Sequence, residues 1–128
     1  MSQGSGRVLN KNIKHKCGSI VMLQGKINIA SGGAVSSYDS YLDLASVTAG
    51  SGGLYTLVLK DKYAELLCCN VTLQYASAVD SIVHIRSHDV VSAKTIVLDL
   101  IKTATSTDPE AALVMHVSIF LRDTSISR

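Results

Sequence analysis

The sequence has no tryptophan, one phenylalanine and one proline, and only 17% of its residues are charged. Soluble domains usually carry about 25% charged residues. No apolar run approaches the ~18 residues needed to cross a bilayer as a helix, so no transmembrane helix is expected. The first sixteen residues are polar and basic and contain no apolar h-region, so no signal peptide is read. The three cysteines are Cys17, Cys68 and Cys69. Their odd number and the adjacency of Cys68 and Cys69, which point to opposite faces of a strand, argue against a disulfide framework. Assembly in a reducing cytoplasm is the simpler expectation. The single proline, Pro109, falls in an expected surface loop, where no ladder hydrogen bond is lost.

What is present is apolar content: 47% of 128 residues, with a mean hydropathy of +0.28. The length suits one domain that buries roughly two-thirds of its unfolded surface, without need of a disulfide or metal staple. The apolar surplus points to further burial between subunits. The net charge of +2 hides an asymmetry, because Arg7, Lys11, Lys14 and Lys16 lie in a stretch with no acid. This divides the chain into a basic N-terminal arm, 1–16, and a single β domain, 17–128. Such an arm suits an acidic surface or a partner subunit. Four cations without interleaved aromatics do not specify nucleic acid, which is not expected as a partner.

Period-two alternation dominates from Ser19 onward. Ile20–Leu23 is an apolar run, Gly25 interrupts it with an expected bulge or bend, and Ile27 and Ile29 alternate beyond it. The stretch 31–37 reads as a Ser/Gly loop. The next strand is expected over Tyr41–Thr48, with a bulge near Ala45, followed by a glycine turn at 50–53. Tyr55, Leu57 and Leu59 share one face of the strand after it. Asp61–Glu65 reads as a helical or 3-10 turn capped by Asp61, and Leu66–Tyr75 as a strand with Val71, Leu73 and Tyr75 on one face. Ser81–Ser87 places Val83 and Ile85 opposite His84 and Arg86. Lys94–Lys102 places Ile96, Leu98 and Leu100 inward, with Thr95 and Asp99 outward. Leu113–Arg122 alternates most cleanly, with Leu113, Met115, Val117, Ile119 and Leu121 opposite His116, Ser118 and Arg122. The stretch 103–112 is expected as a surface loop. The fold class is therefore all-β, an antiparallel sandwich or barrel of about seven or eight strands with an extended N-terminal arm.

No constellation of catalytic residues stands out, and the chain is not expected to be an enzyme or to hold a cofactor or metal. His84 and His88 would lie roughly 13 Å apart on a strand at about 3.3 Å per residue, too far to share an ion. His116 would neighbour His84 only if their strands paired. Cys68 and Cys69 read as one buried and one half-exposed thiol. Gly50-Ser51-Gly52-Gly53 lacks the lysine and following helix of a phosphate loop. Two readings of Asp61, Lys62, Tyr63 and Glu65 stand side by side: a self-contained local cap, or interface residues on an exposed link. The five tyrosines raise glycan or ligand binding as an alternative of another class, although they show no clustering.

GLYTLVLKDKYAELL, followed by a strand and then SAKTIVLDLIKTATSTDPEAALVMHVSIFLRDTS, resembles small virion structural proteins of tailed bacteriophages. The shared features are a Gly-x-Tyr-Thr strand, an Asp-Lys-Tyr link, a Thr/Ala-rich loop with Asp-Pro, and a closing His-containing strand with a polar tail. The upstream GKINIASGGAVSSY and ASVT fit the same layout, and the resemblance covers roughly residues 19–124. The basic arm and the double cysteine are not part of that pattern. The resemblance implies a non-enzymatic decoration or cement protein on the capsid surface of a virion assembled in the host cytoplasm. Its implied partners are the major capsid protein and itself, as a homo-trimer, with no membrane. A tail, baseplate or fibre component is the alternative. In this reading the arm, Arg7 to Lys16, extends over a neighbour and adds backbone and charge contacts.

Overall fold

The computed structural model describes residues 20–76, 81–102, 105–107, 109 and 111–123. The basic arm with Arg7, Lys11, Lys14 and Lys16, and also Cys17, lie outside the described residues.

Two antiparallel sheets enclose one core, giving the sandwich that the alternation predicts. The described residues form nine strands: β1 (Ile20–Ile29), β2 (Val35–Tyr38), β3 (Leu44–Ala49), β4 (Leu54–Leu59), β5 (Glu65–Gln74), β6 (Ser81–Asp89), β7 (Thr95–Lys102), β8 (Thr105–Ser106) and β9 (Leu113–Arg122). The first sheet has the order β2-β1-β9-β5, and the second β3-β4-β7-β6, with β8 on β7. The core is filled from both sheets by the inward phase of each strand, including Leu23, Ile27, Tyr55, Leu57, Leu98 and Met115. Tyr55 is 1% exposed, and its hydroxyl donates to the Gly33 carbonyl at 2.9 Å, so the one polar atom of this core ring is satisfied.

Several expectations are corrected. Gly25 does not break its strand, since β1 runs unbroken through it and pairs with β9 at every residue from Ile20↔Arg122 to Ile29↔Leu113. The glycine is needed for close approach. A Cβ there would lie 2.9 Å from Leu42 Cγ and 3.0 Å from Asp39 Cβ. Beside it, the Asp39 carboxylate accepts the Lys26 N–H at 2.9 Å, and the Asp39 N–H donates to the Lys26 carbonyl at 2.9 Å. Asp39 thereby extends the β1–β2 ladder past Tyr38. The loop expected over 31–37 contains the start of β2, whose short Val-Ser-Ser-Tyr sequence is too polar to announce a strand. Tyr41 and Leu42 belong to a 3-10 turn, Ser40–Leu42, and β3 starts only at Leu44. The bulge expected near Ala45 is present, as a register shift between Leu44 and Ser46.

The glycine turn joins β3 to β4 as expected. Gly53 has φ +83°, and a Cβ there would lie 2.6 Å from the Thr107 carbonyl oxygen and 2.7 Å from that of Leu100. This is where the segment carrying β8 folds against the turn. Within the stretch 103–112, expected as a surface loop, Thr105–Ser106 forms β8 and the Thr107 N–H donates to the Leu100 carbonyl at 3.0 Å. Pro109 is buried, and its carbonyl accepts the Gly32 N–H at 3.0 Å. Asp61–Glu65 forms no helical turn: Glu65 opens β5, and the residues before it run as bends and extended chain.

Gly53→Ala should cost about 3 kcal/mol, because rigid backbone oxygens and an unfavourable φ act together. Gly25→Ala should cost about 1–2 kcal/mol, since the Leu42 side chain can give way. Urea unfolding of both variants checks the magnitudes and their order; equal stability of Gly53→Ala and the parent would refute the close approach.

Candidate functional site

The outward phases of the two sheets hold three groups of side chains. On the first sheet the register aligns Met22 on β1, Phe120 on β9 and Cys68 on β5 in one row. Met22 is 46% exposed, Cys68 is exposed and Phe120 is half-buried. Ile20 and Leu67, the latter at a register shift of β5, add exposed apolar surface at the same end of the sheet. The result is an apolar strip across three strands on a face that faces solvent. Arg122 and Glu65 pair across strands at its margin, with Arg122 Nη2 2.9 Å from Glu65 Oε1.

Toward the other end, the same face is polar. Gln24 Nε2 donates to Ser118 Oγ at 3.1 Å, Asn28 Nδ2 donates to Ser37 Oγ at 2.9 Å, and His116 Nε2 lies 2.7 Å from Gln74 Oε1. A shallow depression of about 400 Å³ between Gln24, Lys26, Asp39 and His116 lies here. The Asp39 carboxylate in it is already occupied by the Lys26 N–H. His116 and His84 are not neighbours, since β9 and β6 belong to different sheets.

The second sheet holds an ion cluster on its outer face. Asp99 on β7 lies across from His84 on β6 and Leu54 on β4. Its phase is outward, as the alternation predicts, but its exposure is only 3%. Arg86 Nη1 reaches Asp99 Oδ2 at 3.1 Å, and His84 Nε2 stands 3.7 Å from the same oxygen. Oδ1 is buried and has no hydrogen-bond partner among the described residues. Arg86 sits at a register shift between Ile85 and Ser87, which re-aims it toward the carboxylate. A buried carboxylate with one charge-assisted bond holds Arg86 in place, and with it the geometry of the β6 edge.

The link residues do not act as one exposed patch. Tyr63 is 8% exposed and belongs to the core, so its ring is not available for docking. Its N–H donates to the Val90 carbonyl at 2.9 Å. Burial, and then the carboxylates of Asp61, Asp43 and Asp123, raise its hydroxyl above the ordinary tyrosine pKa. Glu65 is engaged with Arg122, while Asp61 and Lys62 are exposed. The tyrosines are similarly dispersed: Tyr55 and Tyr63 are core residues, and Tyr41 at 80% exposure stands alone as the strongly exposed one. They make no stacking platform for a sugar. Among the described residues no group of three or more His, Cys, Asp or Glu side chains could hold a metal ion, and no helix is long and apolar enough to cross a membrane.

The double cysteine divides as its strand phase requires. Cys68 is exposed in the apolar strip, and Cys69 faces the core, where burial and then the neighbouring Cys68 push its thiol up to about 11. The strip is hidden in the sequence because Phe120 falls among polar neighbours on β9. It is the one phenylalanine of the chain and falls on the His116-Ser118-Arg122 phase. Comparison with family models, with curated proteins and with solved structures finds no match.

Two outcomes follow from these geometries. In a Cys17→Ser background at pH 8, a soluble thiol reagent should label Cys68 at least about tenfold faster than Cys69, which is held as the unreactive thiol. Peptide mapping reads the ratio, and equal rates would contradict the burial of Cys69. Arg86→Ala should lower stability by about 1–3 kcal/mol, because it strips the buried Asp99 of its hydrogen bond. Adding Asp99→Asn should recover part of that loss in urea unfolding, since the charge is then gone.

Proposed function

We propose that this chain is a non-enzymatic structural subunit of a tailed-phage virion, a capsid decoration or cement protein that binds the major capsid protein lattice. The observation that carries the reading is the apolar strip of Met22, Phe120 and Cys68 on the outer face of a well-packed sandwich. A rigid sheet that presents apolar side chains to solvent gains by covering them. A docking contact of this kind needs no moving part and no reacting group. The motif order from Gly53 to Ser125 supports the virion setting, and the apolar surplus of the composition supports burial between subunits. In this reading the basic arm, Arg7 to Lys16, adds contacts to the neighbour on which the strip docks. Ordering such an arm costs conformational entropy, which repeated contacts around a symmetric lattice offset.

Purified particles should contain the protein in hundreds of copies, and stripped particles should rebind it. Met22→Glu on the exposed strip should weaken rebinding about tenfold or more, the scale of losing one well-packed interface side chain, with the fold intact by circular dichroism. Deletion of 1–16 should leave a folded domain that no longer decorates. A copy number of only a few per particle would move the protein to the tail or baseplate. Normal occupancy by both variants would refute the docking reading.

A further inference from the structure

Among the described residues, four strands end the two sheet orders, with the two-residue β8 aside, and three of them are guarded. β2 is only four residues long. β3 is six residues long and bulged at Ala45. β6 is long, but it carries His84, Arg86, His88 and Asp89 and a register shift at Arg86. Short length, bulges and charges are the devices that keep sheet edges from pairing with other chains. β5 differs. It is ten residues long, its register shift lies near one end at Leu67, and from Leu66 to Gln74 it carries no charge, no proline and no glycine. Among the described residues, no strand pairs with its second edge.

The flank beside this edge is also incompletely sealed. β5 and β6 lie on the same side of the sandwich. Their inward side chains Leu66, Cys69, Val71, Leu73, Val83 and Ile85 are only partly buried. The inward residues of the central strands, such as Ile27, Leu57, Leu98 and Ile119, are 0% exposed. The open backbone edge, the half-covered core flank and the apolar strip that ends on Cys68 are therefore continuous.

We propose that the β5 edge is an intersubunit pairing site whose occupant is β5 of a second copy of this chain, running antiparallel about a two-fold axis. The choice of occupant rests on charge matching and length. An uncharged edge about 30 Å long, Leu66 to Gln74 at ~3.3 Å per residue, matches another uncharged edge of equal length. Of the edges among the described residues, β5 has that character and β2, β3 and β6 do not. An antiparallel two-fold pairs inward with inward residues and outward with outward residues, so the half-buried Cys69, Val71 and Leu73 gain cover while the exposed Asn70 and Thr72 stay in solvent. The two four-stranded sheets become one continuous sheet of eight. This inference rests on the reading of the chain as an assembly subunit and names the self-contact within it. It is tested in solution without particles, so its failure is separate from failure of the lattice reading.

The test is the mass of the isolated full chain by light scattering or sedimentation, combined with amide hydrogen exchange. Two chains per particle, with exchange over Cys68–Gln74 slowing as concentration rises, is the expected result. Asn70→Lys with Thr72→Lys places like charges face to face across the two-fold on exposed positions. It should raise the dimer dissociation constant at least about tenfold, whereas Thr48→Lys on the β3 edge should leave it unchanged. If the double variant fails to fold, the exchange pattern of the unmodified protein decides. A monomer at about 100 µM, a three-chain particle, or a dimer with unprotected Cys68–Gln74 overturns the proposal. So does a dimer that the double variant leaves intact. Loss of the dimer on Ile13→Pro in the full chain would assign the pairing to the N-terminal arm, and also overturns it.

Discussion

The ladder between β1 and β9 is the constraint on which the rest of the structure depends. It joins the first and last strands of the described chain in ten consecutive pairs without a register shift. Val21 and Leu121, Leu23 and Ile119, Ile27 and Met115, and Ile29 and Leu113 meet on its inner face. A slip of one residue would turn all of these to solvent and bring Lys26, His116 and Arg122 inward, so the register is strongly fixed. β2 and β5 attach to its two sides, and the outward row of Met22, Phe120 and Cys68 exists only because this register places them side by side. Contacts between such distant parts of the chain must form at high loop-closure cost, which makes slow folding the physical expectation for this topology.

The remaining energetics follow from how the two sheets divide apolar surface. Central strands bury nearly all of their inward phase, Val21 near the end of β1 excepted, and leave a mixed outward phase, while edge strands bury theirs only in part. That gradient is ordinary for a sandwich. What is particular to this chain is its asymmetry between edges: β6 carries Arg86, tied down by Asp99, and the charged Asp89, and β5 is bare from Leu66 to Gln74. A surface that combines a bare edge with an apolar strip is costly for a free protein in water and favourable for one that spends its life in contact with others.

Most of the fold was legible because period-two alternation is strong where strands have one face in the core. β4, β7 and β9 follow their sequence patterns closely, with Tyr55, Leu57 and Leu59 or Met115, Val117 and Ile119 inward as expected. The misreadings share one cause, which is that local pattern does not reveal tertiary approach. Gly25 looks like an interruption until the Ser40–Leu42 turn is seen packed on it. Tyr63 looks like an exposed link residue until the β6–β7 turn is seen closing over it through Val90. Asp99 has the outward phase that alternation assigns, yet Arg86 and His84 cover it from the adjacent strand. The strip was half legible: its phase can be read from β9, but its extent across β1 and β5 depends on strand order, which a single sequence does not carry.

The pairing of Ile20 with Arg122 has a geometric result for anything attached to this molecule. Facing residues of an antiparallel pair are only about 5 Å apart, so the polypeptide enters and leaves the sandwich at one pole. The opposite pole is built by the Gly32–Gly33 and Ser51–Gly53 turns and sealed by Pro109 and Thr107. The described sandwich thus has two unlike ends, one carrying both Ile20 and Arg122 and the other closed by turns, so anything that meets it end-on meets a different surface at each pole.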